Sequence, residues 1–250
     1  MEYRKSTNYT IEEFKEIIEI LRSDHGCPWD RVQTHESLKP CMMEEAAEVL
    51  AGIRILDKTG NGENLKEELG DVLLQVVMHS QIAKEEGLFS FEDVGDDVSR
   101  KMIRRHPHVF VQDGIKADTV DQVLTNWEDI KKQEKKGKEW AKQPLHEIPM
   151  EFPSLLRGTK VAKKLTKLYP PQPVFNETIS DFDFLADEIA GIIEQMQENE
   201  SMDEQQLKEK LEHCMKELLW QICVISAKFG ISSEQLLMNK IENMIENYES

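Results

Sequence analysis

The chain has 250 residues, and its charged side chains are mostly acidic. Asp and Glu number 48 against 31 for Lys and Arg, which gives a formal net charge of −17 at pH 7. A surface this acidic repels nucleic acid and anionic lipid at long range, which argues against either as a partner. If the substrate is itself an anion, a cation must stand between it and the protein.

Hydrophobic residues make up 39% of the chain, enough for one large domain or two domains of ordinary size. Apolar runs fall short of the roughly 20 residues that span a bilayer, and no apolar signal segment follows the first residues. The four cysteines show no C-x-x-C spacing. These features predict a cytoplasmic protein with reduced thiols and no membrane association.

Helical periodicity dominates the first half of the chain, where apolar residues recur every three to four positions. Turn residues at 59–62, Gly87 and Pro107 separate the helical patterns. Ser90 with Asp93 three residues later has the spacing of a helix cap. The predicted helices are 11–22, 38–57, about 63–86 and roughly 91–105. The apolar stretch 72–78 favours deep burial of its helix.

An all-α fold is predicted, because no stretch alternates as a β-strand does. Residues 111–150 have the composition of a charged connector. Its basic run at 131–138 is either a patch for an acidic partner or the solvated face of a helix.

The second half of the chain echoes the first. Residues 217–223 align with 71–77 at an offset of 146, and Asp187-Glu188 aligns with Glu44-Glu45 at an offset of 143. The similarity indicates either two copies of one helical unit or a chance likeness of two amphipathic helices.

Two pairs of acids stand one helical turn apart: Glu45 with Glu48, and Glu68 with Asp71. If their helices pack antiparallel through the 59–62 turn, the four carboxylates meet. Four clustered carboxylates cannot all stay ionised without a counter-charge, and Mg²⁺ or Mn²⁺ suits such oxygen ligands best. Acid pairs are common in so acidic a chain, so the alternative is that these acids are simply solvated.

A basic cluster follows at Lys101, Arg104 and Arg105, within one turn near a predicted helix C-terminus. These cations either offset the helix dipole or bind a polyphosphate chain, for which Arg offers bidentate geometry.

Five short segments carry a resemblance to a known family. They are His25-Gly26-Cys27-Pro28-Trp29-Asp30, Gln33-Thr34-His35, Glu44-Glu45-x-x-Glu48, Glu67-Glu68-Leu69-Gly70-Asp71 and Arg104-Arg105-His106-Pro107-His108-Val109-Phe110. Over about residues 9–110 the chain resembles the MazG-type nucleoside triphosphate pyrophosphohydrolases, and as a whole it is similar to their long, two-domain members.

The resemblance implies two tandem MazG-like helical domains whose helices pair across a homodimer into units like four-helix bundles. The expected boundaries are 1–110 for a catalytic domain, 111–150 for a charged helical connector, and 151–250 for a degenerate, structural or dimerising domain.

The resemblance also implies an enzyme that uses Mg²⁺, with Mn²⁺ as a substitute, to hydrolyse standard or non-standard nucleoside triphosphates to monophosphate and diphosphate. Glu45, Glu48, Glu68 and Asp71 would hold the metal, and Glu44 together with Glu45 would act on the attacking water. Lys101, Arg104 and Arg105 would hold the phosphates. Trp29 would either stack on the base or cap the core.

The second repeat departs from the family's active pattern. Gly191 replaces the third acid of Glu-Glu-x-x-Glu, and Cys214 stands where Glu68 does in the first repeat. Lys216-Glu217 replaces the Gly-Asp pair, and the basic cluster becomes roughly Asn243, Glu246 and Asn247. This half is predicted not to bind a metal-nucleotide. Because the second copy carries the activity in some two-domain relatives, the assignment depends on these residues.

Three alternatives stay open at this point. His25, Cys27, His35 and Cys41 could be read as zinc ligands, although their spacing does not support a zinc site. A di-iron bundle is the rival enzyme class, but it expects Glu-x-x-His pairs. A catalytically weak nucleotide-binding or regulatory protein is the third alternative, which the degenerate second half makes credible.

Overall fold

The computed structural model describes residues 8–111, 117, 119–135, 143–169, 178–197 and 204–249. These ranges contain eleven α-helices and a 3₁₀ helix at Pro144–Glu147, and they contain no strand, which confirms the predicted all-α fold. The helices are α1 (Ile11–Arg22), α2 (Pro28–Arg31), α3 (Lys39–Thr59), α4 (Glu63–Glu85), α5 (Phe91–Arg105), α6 (Pro107–Phe110), α7 (Val120–Lys135), α8 (Ser154–Leu168), α9 (Thr178–Gln197), α10 (Glu204–Phe229) and α11 (Ser233–Glu249). Within the described part of the chain, no helix is both long enough and apolar enough to traverse a bilayer.

Local capping chemistry sets the helix ends in the first half. The predicted Ser90–Asp93 cap is present as a full capping box at the start of α5. Thr10 and Glu13 form the same motif at the start of α1, which the spacing analysis had not singled out. Gly87 follows α4 with φ of 71°, a left-handed conformation that glycine adopts without strain.

The described contacts divide the chain into two compact units, Met1–Lys131 and Lys132–Ser250. In the first unit α3 packs along α4, while α1 and α5 also contact α4. Its core contains Ile18, Leu38, Val77, Met78 and Ile82. Helix α4 is therefore the central element of this unit.

The apolar stretch 72–78 is buried on only one side. Val77 and Met78 belong to the core, whereas Leu73 remains 38% exposed. On α3, Leu50, Ile53 and Leu56 are also exposed. The deep burial predicted for this part of α4 is thus correct for its core-facing side alone, because the opposite side faces away from α1.

The segment that connects α1 to α3, residues 23–38, turns sharply under the end of α1. A Cβ atom at Gly26 would lie 2.2 Å from the carbonyl oxygens of both Ile20 and Leu21, so only glycine fits there. Pro28 then occupies the first turn of α2, where its missing N–H costs nothing. The Gly-Cys-Pro part of the sequence motif therefore has a steric explanation.

In the second unit α8 and α9 pack against α10, and α11 contacts α8 and α10. The buried side chains around α9 and α10 are Leu185, Ile192, Leu207 and Cys214. This arrangement matches that of α1, α3 and α4, with α8 in the place of α1. All four cysteines have free thiols in the structure.

Candidate metal site

The two acid-bearing helices approach each other closely at Gly52. This residue is buried on α3, one turn beyond Glu48, and an added Cβ would lie 2.9 Å from the Cα of Leu65 on α4. The absence of a side chain at position 52 lets the α3 and α4 backbones come together beside the acids.

Three of the four predicted metal ligands meet across this helix pair. Carboxylate oxygens of Glu45, Glu48 and Glu68 all lie within 4.8 Å of one another. The Asn64 side-chain amide donates a 2.8 Å hydrogen bond to Glu68 Oε1, which fixes the orientation of that carboxylate. The predicted antiparallel approach through the 59–62 turn therefore brings these side chains together.

Asp71 and Glu44 belong to the electrostatic surroundings of this trio. Burial raises the pKa of Glu45, and the charges of Asp71, Glu68 and Glu44 raise it further. Burial is also the largest cause that raises the pKa of Glu68, followed by the charge of Glu48. Mutual repulsion of this kind is relieved by protonation or by a bound cation.

The donor set fits a hard divalent cation. All three grouped side chains offer carboxylate oxygen, the ligand that Mg²⁺ and Mn²⁺ prefer, and none offers nitrogen or sulfur. Glu48 is exposed while Glu45 and Glu68 are half-buried, so the trio is open to solvent on one side. A phosphate-bearing ligand could reach a cation held there.

The predicted basic cluster lies on α5 rather than on the acid-bearing helices. Arg104 is exposed and Lys101 half-buried near the end of α5. The Arg105 guanidinium lies 5.6 Å from the ring centre of Trp127 on α7, and the His106 ring meets Trp127 edge-on at 4.9 Å. Trp127 was not predicted as a site residue, because its only signal is one aromatic residue in a largely polar helix.

Trp29 lies on α2 and is 59% exposed. Its backbone carbonyl accepts a 2.9 Å hydrogen bond from the Gln33 side chain, so its position depends on the connecting segment. So exposed a ring does not cap the core, which leaves it available to a ligand.

Comparison with known proteins identifies the family. Residues 33–110 match the model of the MazG nucleotide pyrophosphohydrolase domain. The nucleoside triphosphate pyrophosphohydrolase/pyrophosphatase MazG of Thermotoga maritima is 35% identical over 246 residues, which is 98% of this chain and 86% of the relative. The chain belongs to the MazG family.

Two further relatives of this MazG chain match over a shorter stretch. The YabN protein of Bacillus subtilis is 47% identical over 150 residues, or 60% of this chain and 29% of YabN. The nucleoside triphosphate pyrophosphohydrolase of Escherichia coli is 40% identical over 155 residues, or 62% of this chain and 56% of the relative. The matched regions thus span less than two thirds of either protein.

The second unit of the MazG chain has a different pair of side chains at the position that corresponds to the acid trio. The buried Cys214 thiol donates a hydrogen bond to Glu188 Oε2 at 3.4 Å. By the offsets of 143 and 146, these residues correspond to Glu45 and Glu68. The repeat predicted from sequence therefore reappears as an equivalent contact between α9 and α10, with one carboxylate replaced by a neutral thiol.

The alternative metal sites find no support in this MazG structure. Among the described residues, Glu45, Glu48 and Glu68 are the only group of three or more acids, histidines or cysteines close enough to share an ion. His35, proposed as a zinc ligand, contacts His79 instead.

Proposed function

We propose that this chain is a Mg²⁺-dependent nucleoside triphosphate pyrophosphohydrolase whose active site lies in the first unit. Its membership of the MazG family confirms the predicted class of enzyme, a hydrolase of phosphorus anhydrides. The single observation that carries the location of the site is the carboxylate trio of Glu45, Glu48 and Glu68. Mn²⁺ is expected to substitute for Mg²⁺, since both accept carboxylate oxygen.

The proposed metal ligands are Glu45, Glu48, Glu68 and Asp71. The raised pKa values of Glu45 and Glu68 support the assignment, because a bound cation would relieve the repulsion between the acids. A bound divalent cation would attract phosphate oxygens to this acidic surface and would make a water molecule more acidic.

The remaining roles follow from the reaction. Water attacks the phosphorus nearest the sugar, the α-phosphorus. The bond between the α-phosphorus and the oxygen that bridges it to the β-phosphorus breaks, which releases diphosphate. We assign Glu44, together with Glu45, to orienting that water and accepting its proton, since Glu44 is exposed next to Glu45.

The leaving diphosphate carries negative charge that must be stabilised. Lys101, Arg104 and Arg105 are proposed to bind the phosphate oxygens, and the two arginines can do so bidentately. Trp29 is proposed to stack on the base because its ring is largely exposed. A flat stacking contact tolerates different bases, so both standard and non-standard nucleotides are expected substrates.

A homodimer is the proposed assembly. Large apolar side chains are exposed on the α3–α4 pair and at the corresponding positions of the α9–α10 pair, a pattern typical of unpartnered interfaces. On the α3–α4 pair these side chains are Leu50, Ile53, Leu69 and Leu73. On the α9–α10 pair the corresponding side chains, in the same order, are Ile193, Met196, Met215 and Leu219. The second unit is proposed to have a structural or dimerising role. Cytoplasmic location and the absence of a nucleic-acid partner stay predictions.

The decisive experiment is product analysis. The purified chain is incubated with each ribo- and deoxyribonucleoside triphosphate plus Mg²⁺, and products are separated by ion-exchange chromatography. Monophosphate with diphosphate is the expected result. Orthophosphate with nucleoside diphosphate would indicate a different phosphohydrolase. Absence of product would favour the catalytically weak nucleotide-binding or regulatory protein.

A further inference from the structure

Two histidines outside the proposed metal site contact each other. His35 lies in the segment that connects α1 to α3, and His79 lies on α4, eight residues beyond Asp71. Their Nδ1 atoms are 2.8 Å apart, and their rings stack with planes 4° apart. This contact ties the connecting segment to the central helix of the unit.

The contact depends on the protonation of both rings. A hydrogen bond between two Nδ1 atoms needs one N–H and one lone pair, so at least one imidazole must be neutral. Two protonated rings would instead direct two N–H groups and two positive charges at each other. The doubly protonated pair therefore loses its hydrogen bond and gains repulsion.

The two rings have different surroundings. His35 Nε2 lies 3.8 Å from Glu86 Oε2, and the His35 side chain is 40% exposed. Burial lowers the pKa of His79, and the charge of His35 lowers it further. His79 is consequently the ring that resists a charge, and a neutral His79 that accepts at Nδ1 carries its proton on Nε2.

Several charged groups on the neighbouring elements belong to ion pairs of their own. These pairs join Arg22 with Glu85, Lys84 with Glu19, and Lys39 with Glu36. Among the described contacts, Glu86 is the carboxylate within ion-pair distance of these two histidines, and it lies on the His35 side. A proton on His79 therefore receives no such compensation from the described residues.

A second anchor holds the same segment without titrating near neutral pH. The buried Arg22 donates to the carbonyl oxygens of Asp30 at 2.6 Å and Gln33 at 3.2 Å, and it bonds Glu85 at 2.7 Å. The hydrogen bond from Arg22 lowers the pKa of Glu85, so this ion pair persists in mild acid. The histidine contact is the part of the attachment that responds to protons.

We propose that His35 and His79 form a proton-sensitive latch that holds the end of the connecting segment on α4, closed while one imidazole is neutral and open when both are protonated. Because His79 resists protonation in the folded chain, the latch holds the segment at full strength above about pH 6.5, the ordinary pKa of histidine. As pH falls below that value, closure weakens by up to about tenfold for each pH unit until the lowered pKa of His79 is reached.

Hydrogen–deuterium exchange of the full chain tests the latch directly. Peptides covering residues 27–38 are followed at pH 7.5 and pH 5.0, with correction for the intrinsic pH dependence of amide exchange. The wild-type segment is expected to lose about tenfold or more of its protection at pH 5.0. His79→Gln, which cannot carry a charge, is expected to change less than about twofold between the two pH values.

Two controls keep the result specific. His146→Gln alters an exposed histidine of the other unit and should leave the wild-type response intact. His35→Gln, at the other ring of the pair, provides the same test if His79→Gln does not fold. Unchanged wild-type protection, an unaltered pH response in the folded variants, or equal loss of protection in α10 would each overturn the proposal. No nucleotide enters the measurement, so its outcome is independent of the proposed hydrolysis.

Discussion

Gly52 and Leu65 meet so closely that a single methyl group at position 52 would lie 2.9 Å from the Leu65 Cα and 3.1 Å from its backbone nitrogen. Both obstructing atoms belong to the backbone of α4, so they cannot rotate away as a side chain would. The contact lies one turn from Glu48 on α3 and one turn from Glu68 on α4. It therefore sets the separation of the helices at the proposed metal site.

Gly52→Ala is expected to destabilise the fold, although alanine normally favours a helix. Overpacking should cost about 1–3 kcal/mol, which outweighs the gain of up to about 1 kcal/mol in helix propensity. Urea denaturation measures the net change. Gly95→Ala is the matched control, because that helical glycine has open space around it and should gain stability. An equal gain at both positions would contradict the close approach.

Glu45→Gln is expected to lower hydrolysis by roughly 100-fold or more, the size of loss typical when a group that stabilises transition-state charge is removed. The matched control is Glu188→Gln, at the corresponding position of the second unit, which should retain wild-type turnover. Steady-state rates with saturating Mg²⁺ decide between them. A larger loss in Glu188→Gln would transfer the active site to the second unit.

Metal removal should expose the repulsion within the acid trio. Because the pKa values of Glu45 and Glu68 are raised in the folded chain, the protonated acids stabilise the fold below about pH 4.5, and this stability is lost as pH rises through the raised values. With a chelator, the melting temperature should therefore fall across this interval.

Mg²⁺ should reverse that loss at neutral pH, by about 2.7 kcal/mol at a concentration 100 times its dissociation constant. Differential scanning calorimetry with and without Mg²⁺ provides the measurement. The variant Glu45→Gln/Glu48→Gln should show a smaller pH slope and a smaller response to Mg²⁺, because the burial that raises the pKa of Glu68 remains. An equal Mg²⁺ response in that variant would place the cation elsewhere.

Arg22→Ala should destabilise the first unit by about 3 kcal/mol, at the low end for a broken buried ion pair because Glu85 is 38% exposed. The loss arises because Glu85 and two backbone carbonyls lose the hydrogen bonds that Arg22 donates. The lowered pKa of Glu85 means that the pair contributes fully above about pH 4.5 and is lost as pH falls through that lowered value. Chemical denaturation at pH 7 and pH 3.5 tests both statements.

Arg31→Ala is the control for Arg22, since the exposed Arg31 side chain donates to the Asp24 carbonyl alone among the described contacts. Its expected effect is within about 0.5 kcal/mol, as for most surface substitutions. Comparable losses in the two variants would show that the buried ion pair is not the cause.

Leu73→Lys should weaken the proposed dimer, because it places a charge in the exposed apolar face of α4. Sedimentation velocity over a concentration series is expected to show a shift toward monomer. Leu88→Lys changes an equally large exposed side chain outside α3 and α4 and should leave association unchanged. A monomeric wild-type chain at all concentrations would contradict the dimer.

Local sequence chemistry predicted much of the fold. The Ser90–Asp93 cap and the turn after Thr59 set the limits of α5 and of the α3–α4 hairpin, because these signals act within a few residues. The same locality made the acid trio predictable. Once two neighbouring helices are joined by a short turn, acids at one-turn spacing on each can meet.

The contacts that escaped prediction join residues far apart in the chain. Arg22 and Glu85 are 63 positions apart, and His35 and His79 are 44 apart. No local period marks them, since the spacing of apolar residues does not reveal which distant side chain a residue contacts. Gly52 was missed for a related reason: an interior helix glycine signals close approach only when its neighbour is known.

In the second unit, the Cys214 thiol is a neutral partner for a carboxylate. In the first unit, the corresponding side chains are clustered carboxylates whose repulsion a bound cation would relieve. The thiol donates a hydrogen bond to the exposed Glu188 carboxylate, and burial raises the pKa of the thiol, so no second negative charge lies beside that carboxylate. Three clustered carboxylates have no comparable proton to share. A change in the concentration of divalent ions should consequently alter the stability of the first unit and leave that of the second unit unchanged.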